Sequence, residues 1–233
     1  MAVKDSYKRW FDISVLVIAH LLLLPMWVIL WTVIPVLIWL EDRHTVFYRQ
    51  QRMGRGGKPF VVIKFRTMVV DADELGPAWT IDDDPRVTRV GRILRRTALD
   101  ELPEVISIWK GDMSFVGPRA LDVDEELALE ELMPGFEKRL QVRPGLTGLA
   151  QIHDKVDDPH EKFRYDMEYL QSLSPALDAK LMVRSVWNTV GARWDNRSGK
   201  TKLEDLMPRR KNGSSDDSKQ PEILTPDTEK DVR

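Results

Sequence analysis

Residues 13–40 read ISVLVIAHLLLLPMWVILWTVIPVLIWL, a run of 28 positions without a charge. Ser14, His20, Pro25, Thr32 and Pro35 are its only members outside the apolar set. About 20 apolar residues cross a bilayer core as a helix, so the stretch predicts a membrane segment. It lacks a small-residue cleavage site and exceeds a signal-peptide core in length, so it is expected to be retained. Trp10 and Trp39 bracket it where headgroups would lie. Both flanks are basic: Lys4, Lys8 and Arg9 before it, then Arg43, Arg49, Arg52, Arg55 and Lys58 after it. Flanking charge therefore sets no direction for a single crossing. Pro25 removes a backbone donor near the middle, where it can bend a helix sharply. Two readings stay open on these grounds. One is a kinked spanning helix; the other is a re-entrant helix, broken near Pro25, that leaves by the face it entered.

The 233 residues suit one catalytic domain plus this anchor. A net charge of −2 gives no case for nucleic acid as a partner. Locally the balance differs: residues 43–96 hold twelve Lys/Arg against six Asp/Glu, and residues 97–233 twenty against twenty-seven. A basic stretch beside an apolar segment suits anionic headgroups or phosphates. There is no cysteine, which excludes disulfides and thiolate chemistry. The expected division is a membrane anchor over 1–42, a cytoplasmic domain over 43–207 and a disordered polar tail over 208–233.

Within the domain, residues 46–51 and 60–65 are rich in β-formers and flank a basic Gly-containing turn. Residues 86–96 predict an amphipathic helix with arginines at 86, 89, 92 and 95. Leu99, Leu102, Val105, Ile106 and Trp109 recur at helical spacing around Asp100 and Glu101. An acidic helix over 122–132 and two helices over 159–173 and 175–190 follow. The expected class is α+β, predominantly helical, with short β segments.

Asp100 and Glu101 are the first candidates for chemistry. Neighbours on an α-helix point about 100° apart, so they suit two roles at one site, such as a nucleophile and a metal ligand. The plain alternative is an acidic first turn favoured by the helix dipole, with Pro103 tolerated there. Arg92, Arg95 and Arg96 upstream and Arg119 downstream favour chemistry, because arginine suits phosphate. Carboxylates among arginines suit phosphoryl transfer, with Mg²⁺ and cations meeting developing charge. The alternative for the arginines is a solvated or headgroup-facing surface. Lys64-Phe-Arg-Thr-Met68 places Lys64 and Arg66 on one strand face, or is an ordinary edge strand. Arg143-Pro-Gly-Leu-Thr-Gly148 either presents backbone N–H groups to an anion or merely turns. The four histidines show no metal spacing.

Several ordered motifs go further. They are Arg9-Trp-Phe-Asp12, Pro25, Tyr48-Arg-Gln-Gln-Arg-Met-Gly54, Lys64-Phe-Arg-Thr-Met68 and Asp84-Pro-Arg-Val-Thr-Arg-Val-Gly91. Leu94-Arg-Arg-Thr-Ala-Leu-Asp-Glu-Leu-Pro103, Gly111-Asp-Met-Ser-Phe-Val-Gly-Pro-Arg119 and Arg143-Pro-Gly-Leu-Thr-Gly-Leu-Ala-Gln151 follow. Together they resemble the bacterial sugar transferases, or monotopic phosphoglycosyl transferases, up to about residue 195, in their minimal form. The resemblance implies that Asp100 attacks the sugar-linked phosphate of a UDP-sugar and expels UMP. Polyprenyl (undecaprenyl) phosphate would then take the phosphosugar, in the first membrane step of a surface glycoconjugate pathway. Glu101 would bind Mg²⁺, and Arg95 and Arg119 would hold phosphates; Lys64, Arg66 and Arg143 complete the expected phosphate set. The resemblance also favours the re-entrant anchor, with the domain on the cytoplasmic face of the bacterial inner membrane among membrane lipids.

Two departures stand out. The chain reads Gln151-Ile-His-Asp-Lys155 where relatives often carry Val-Asn-Gly-Arg, and Ala120 where a second proline often follows the Pro-Arg turn. The latter is expected to loosen the turn that aims Arg119. Two rival functions remain in view: a glycosyltransferase moving the sugar without its phosphate, and a non-catalytic lipid-binding adaptor. The sugar and any homo-oligomer stay open.

Overall fold

The computed structural model describes residues 5–72, 74–75, 84–153 and 158–191. The apolar run forms two helices rather than one. α1 spans Lys8–Leu22 and α2 spans Leu24–Asp42, with Leu23 at φ −112°, ψ 22° between them. Pro25 sits in the first turn of α2, where a missing N–H is harmless to that helix. It cannot donate to Leu21, and it disfavours helical geometry at the residue before it, so the break falls just upstream. His20 and Trp27 stack across the break at 4.4 Å, and Trp27 Nε1 donates to the Ala19 carbonyl at 3.3 Å.

Both ends of this helical pair are tied to the rest of the protein. At the entry, the fully buried Lys8 ammonium donates to Asp178 and Tyr169, each at 2.8 Å. Asp12 accepts from Ser114 Oγ at 2.9 Å and from the Phe115 N–H at 3.0 Å. At the exit, Asp42 pairs with Arg66, and Glu41 accepts from the N–H groups of Arg89 and Val90. A straight helix over 28 residues would separate its ends by about 42 Å. Two legs anchored on neighbouring elements avoid that separation. α2 is long and apolar enough to cross a membrane, and only 11 % of its apolar window is buried.

β1 (Phe47–Met53) and β2 (Pro59–Phe65) form an antiparallel hairpin with Arg52 opposite Phe60 and Tyr48 opposite Lys64. Its turn needs left-handed backbone at Gly56 and Gly57, at φ 66° and 73°, which glycine adopts without strain. β2 is the seam between the helical pair and the elements that follow. Val62 packs with Leu16 of α1 and with Val105, Ile108 and Met113, while Phe65 packs with Ile34 and Ile38 of α2 and with Leu94.

α3 (Arg89–Thr97) begins where the Thr88 hydroxyl accepts from the Gly91 N–H at 2.9 Å. Arg86 therefore lies outside the helix, and the expected arginine stripe loses its first member. Its side chain is buried against Asp84, at 2.7 Å, and the Ala72 carbonyl. α3 ends at Ala98, which adopts left-handed backbone at φ 53° and turns the chain into a 3-10 helix over Leu99–Glu104. Pro103 cannot supply the N–H that an α-helix would return to Leu99, which suits the tighter winding. α4 (Val105–Lys110) continues the path.

β3 (Ser114–Val116) and β4 (Gly145–Thr147) pair in parallel. A Cβ on Gly145 would lie 2.0 Å from the Gly117 nitrogen, so only glycine permits this approach. α5 (Val123–Leu132), a 3-10 helix over Phe136–Gln141, α6 (Leu149–His153), α7 (Pro159–Ser172) and α8 (Pro175–Val190) complete the order. Val116, Val142, Leu149, Tyr169, Leu170 and Leu181 form the core beneath them. The architecture is mostly helical with short strands, as expected. The expected tail over 208–233 lies outside the described residues.

Candidate active site

Asp100 and Glu101 lie on the 3-10 helix rather than on an α-helix, and that changes their geometry. Side chains three apart eclipse on a 3-10 helix. Glu101 and Glu104 therefore share one face, and Lys64 of β2 serves both, at 2.9 and 3.1 Å. Asp100 sits on a neighbouring face, toward Arg95 of α3, whose Nε donates to Thr67 Oγ1 at 2.8 Å. Arg119, from the turn after β3, donates to Glu101 Oε1 at 2.7 Å. A polar hollow opens here, lined by Arg52, Lys64, Glu101, Glu104, Arg119 and Gly145 among others.

The electrostatics separate the two adjacent acids. Burial, reinforced by the Glu101 charge, pushes the Asp100 carboxyl up to about 6, against the pull of Lys64 and Arg95. Burial acts upward on Glu101 too, but Arg119 and Lys64 win and hold it well below the usual carboxylate range. Glu104 is raised by burial despite Lys64. Burial would lower the Lys64 ammonium, yet Glu101 and Glu104 raise it above its ordinary value. Asp100 is thus the more basic carboxylate, still ionised near neutral pH, with positive charge to either side.

Lys64 and Arg119 join the carboxylates by direct contact with Glu101, and Arg95 by its charge near Asp100. Two other expected members do not. Arg66 turns to Asp42 at the exit of α2. Arg143 Nε donates to the Gly111 carbonyl at 2.8 Å, beside Arg9, which takes the carbonyls of Ile108 and Trp109. Carbonyls at a helix end lack partners and attract cations, and here they draw Arg143 to the end of α4. The glycine loop after it is likewise committed: Gly145 N donates to the Pro118 carbonyl at 2.8 Å, and the Thr147 carbonyl accepts from Gly117 N at 2.9 Å. Its glycines allow close strand packing, and these groups are not turned to an anion.

Arg52 and Glu104 line the hollow although sequence reasoning passed over them. Arg52 stands inside the quoted Tyr48–Gly54 motif, and Glu104 falls at i+3 from Glu101, a spacing that puts the two on one helix face. Among the described residues no group of three His, Cys, Asp or Glu side chains stands ready to hold a metal alone. Mg²⁺ commonly takes one or two carboxylates and draws the rest of its shell from water and phosphate. Glu101 fits that sparse donor set, since the contacts from Lys64 and Arg119 both fall on its Oε1.

The sequence profile described as bacterial sugar transferase matches residues 3–192. The chain is 38 % identical over 188 residues to UDP-glucose:undecaprenyl-phosphate glucose-1-phosphate transferase of Caulobacter vibrioides, covering 78 % of this chain and 69 % of that one. A protein of the same name from Escherichia coli K12 is 37 % identical over 191 residues, covering 79 % and 40 %. Exopolysaccharide production protein PSS of Rhizobium leguminosarum is 36 % identical over 189 residues, covering 77 % and 92 %. The chain thus spans less than half of the Escherichia coli relative and nearly all of the Rhizobium one.

Proposed function

Because the chain belongs to the bacterial sugar transferase family, we propose that it transfers a sugar-1-phosphate from a UDP-sugar to undecaprenyl phosphate. The observation that carries this reading is the pair of unlike carboxylates, Asp100 basic and Glu101 held ionised, set among Lys64, Arg95 and Arg119.

In the first half-reaction an Asp100 oxygen attacks the sugar-linked phosphorus, and the P–O bond to the α-phosphate breaks. UMP leaves with that electron pair, and the phosphosugar stays on Asp100 as an acyl phosphate. In the second, an oxygen of undecaprenyl phosphate attacks the same phosphorus, the acyl P–O bond breaks and the carboxylate returns. Lys64, Arg95 and Arg119 offset charge on the transferring phosphoryl oxygens. Mg²⁺ held by Glu101 and the diphosphate would supply further charge neutralisation.

The pinned ends of the anchor support re-entry and departure by the cytoplasmic face of the inner membrane. That placement sets the hollow near the depth of a lipid phosphate. Relatives named for exopolysaccharide production support a role at the start of such a pathway.

The test is the half-reaction without acceptor. UDP-sugar and Mg²⁺ alone should release at most about one UMP per active site and then stop. The peptide carrying Asp100 should gain a phosphosugar mass that hydroxylamine removes and undecaprenyl phosphate discharges. UDP as the released nucleotide would mean transfer of the sugar alone. Robust turnover with neither adduct nor lipid-independent UMP would remove the nucleophile role from Asp100.

A further inference from the structure

Four consecutive carbonyls in the turn that carries Arg119 each accept a hydrogen bond from elsewhere. Pro118 O takes Gly145 N at 2.8 Å, and Leu121 O takes Met53 N at 2.9 Å. Between them, Ala120 O takes Arg52 Nη1 at 2.8 Å, and Arg119 O takes Arg139 Nη2. Two strands hold the outer pair and two arginine side chains hold the inner pair.

Arg139 is fully buried. Its Nε donates to Asp166 and its Nη1 to Glu126, each at 2.7 Å, and its guanidinium lies 5.0 Å from the Phe136 ring centroid. Every nitrogen of the fork is engaged. Buried ionic triads are poor stabilisers, since apolar replacements of similar volume are often as stable or better. Stability alone therefore gives no reason for a charge here. The third contact does, because it ends on the backbone of the residue that meets Glu101.

We propose that Arg139 is a positioning residue that aims Arg119 at the phosphate-binding hollow, an inference that rests on the function proposed above. Holding the Arg119 carbonyl fixes the peptide plane between Arg119 and Ala120, and so the direction of the Arg119 side chain. A proline at position 120 would restrict that backbone by locking its φ. With alanine there, the restraint comes from Arg139 beneath the turn and Arg52 beside it. Displacements near 1 Å at such a group cost about 100-fold in rate.

The experiment is a double-mutant cycle on the detergent-solubilised full chain, read as UMP release per enzyme from UDP-sugar with undecaprenyl phosphate. Arg139→Lys keeps a charge for Glu126 and Asp166 but cannot also span to the Arg119 carbonyl. It should lower kcat/KM about tenfold in the parent and less than about twofold in an Arg119→Ala background. A merely structural role predicts the same loss in both backgrounds, which overturns the proposal; so does parent-like activity of folded Arg139→Lys. If Arg139→Lys fails to fold, Asp166→Asn slackens the same fork more gently and is read by the same cycle. Absence of UMP release in the parent protein would instead refute the proposed reaction, which keeps the two failures distinct.

Discussion

Lys64 and Glu101 come from elements 37 positions apart in sequence and meet at 2.9 Å, with Glu104 completing the set from the same 3-10 face. One ammonium thus serves two carboxylates while Asp100 stands on the adjoining face.

Lys64→Met should strand Glu104 in partly dry surroundings and leave Glu101 to Arg119. A loss of roughly 3 kcal/mol in stability is expected from breaking such a buried pair, read by chemical denaturation. With Lys64 offsetting phosphoryl charge as proposed, turnover should fall by about 100-fold or more. In the residual activity the acidic limb should move to higher pH, because Lys64 pulls the Asp100 carboxyl down. An unmoved limb would place Lys64 outside the field felt by Asp100.

Asp100→Asn should abolish turnover and, at neutral pH, stabilise the fold. The sign follows from linkage. The Asp100 carboxyl titrates near 6 in the folded protein and near 3.8 when unfolded, so the folded state binds more proton between those values. Stability contributed by this group therefore falls as pH rises from about 4 to 6. The amide should raise the melting midpoint above pH 6 and give no gain below about pH 4. In the parent enzyme, kcat should rise with pH through about 6 as the nucleophile ionises. A melting gain independent of pH would count against a buried, raised carboxyl.

Much of this arrangement was legible in the chain itself. The uncharged run, the β-rich stretches and the Asp100-Glu101 pair among arginines each come from local pattern, which a single segment can express. What escaped depends on partners remote in sequence. Arg143 and Arg66 looked like phosphate ligands because charge alone was visible, yet a helix end and Asp42 claimed them. Glu104 was hidden because its partner Lys64 sits on β2, remote in sequence, although its i+3 spacing from Glu101 puts the two on one helix face in either winding. Arg139 gave no signal, since its Glu126 and Asp166 partners converge only after α5 and α7 pack.

The anchor allows a direct topological test, since the chain has no cysteine. Single cysteines at Ser6 and Thr45, both exposed, should react with an impermeant label in inverted vesicles and stay silent in intact cells. Labelling from opposite faces would establish a crossing. Pro25→Ala restores the donor to Leu21 and should raise the fraction labelled from opposite faces.

Asp178→Ala should free the entry of α1. It leaves Lys8 buried without its counter-charge, at a cost of roughly 3–5 kcal/mol. Unfolding by denaturant should report that loss, while Asp178→Asn, which keeps acceptors for Lys8 and Tyr169, should lose less. Equal losses in the two variants would assign the effect to packing rather than charge.

The two ties of the anchor differ in when they become available. Asp42 meets Arg66 and Glu41 meets the start of α3, partners 24 and 48 positions along the chain. Lys8 waits for Asp178, 170 positions away. As the polypeptide leaves the ribosome, the exit of α2 can therefore be fastened early. Until Asp178 is made, the Lys8 ammonium lacks that counter-charge and relies on its own hydration, while Asp12 waits only for Ser114 and Phe115. The last described helix to emerge is the one that closes the loop, so the helical pair is fastened at both ends only once α8 has been made.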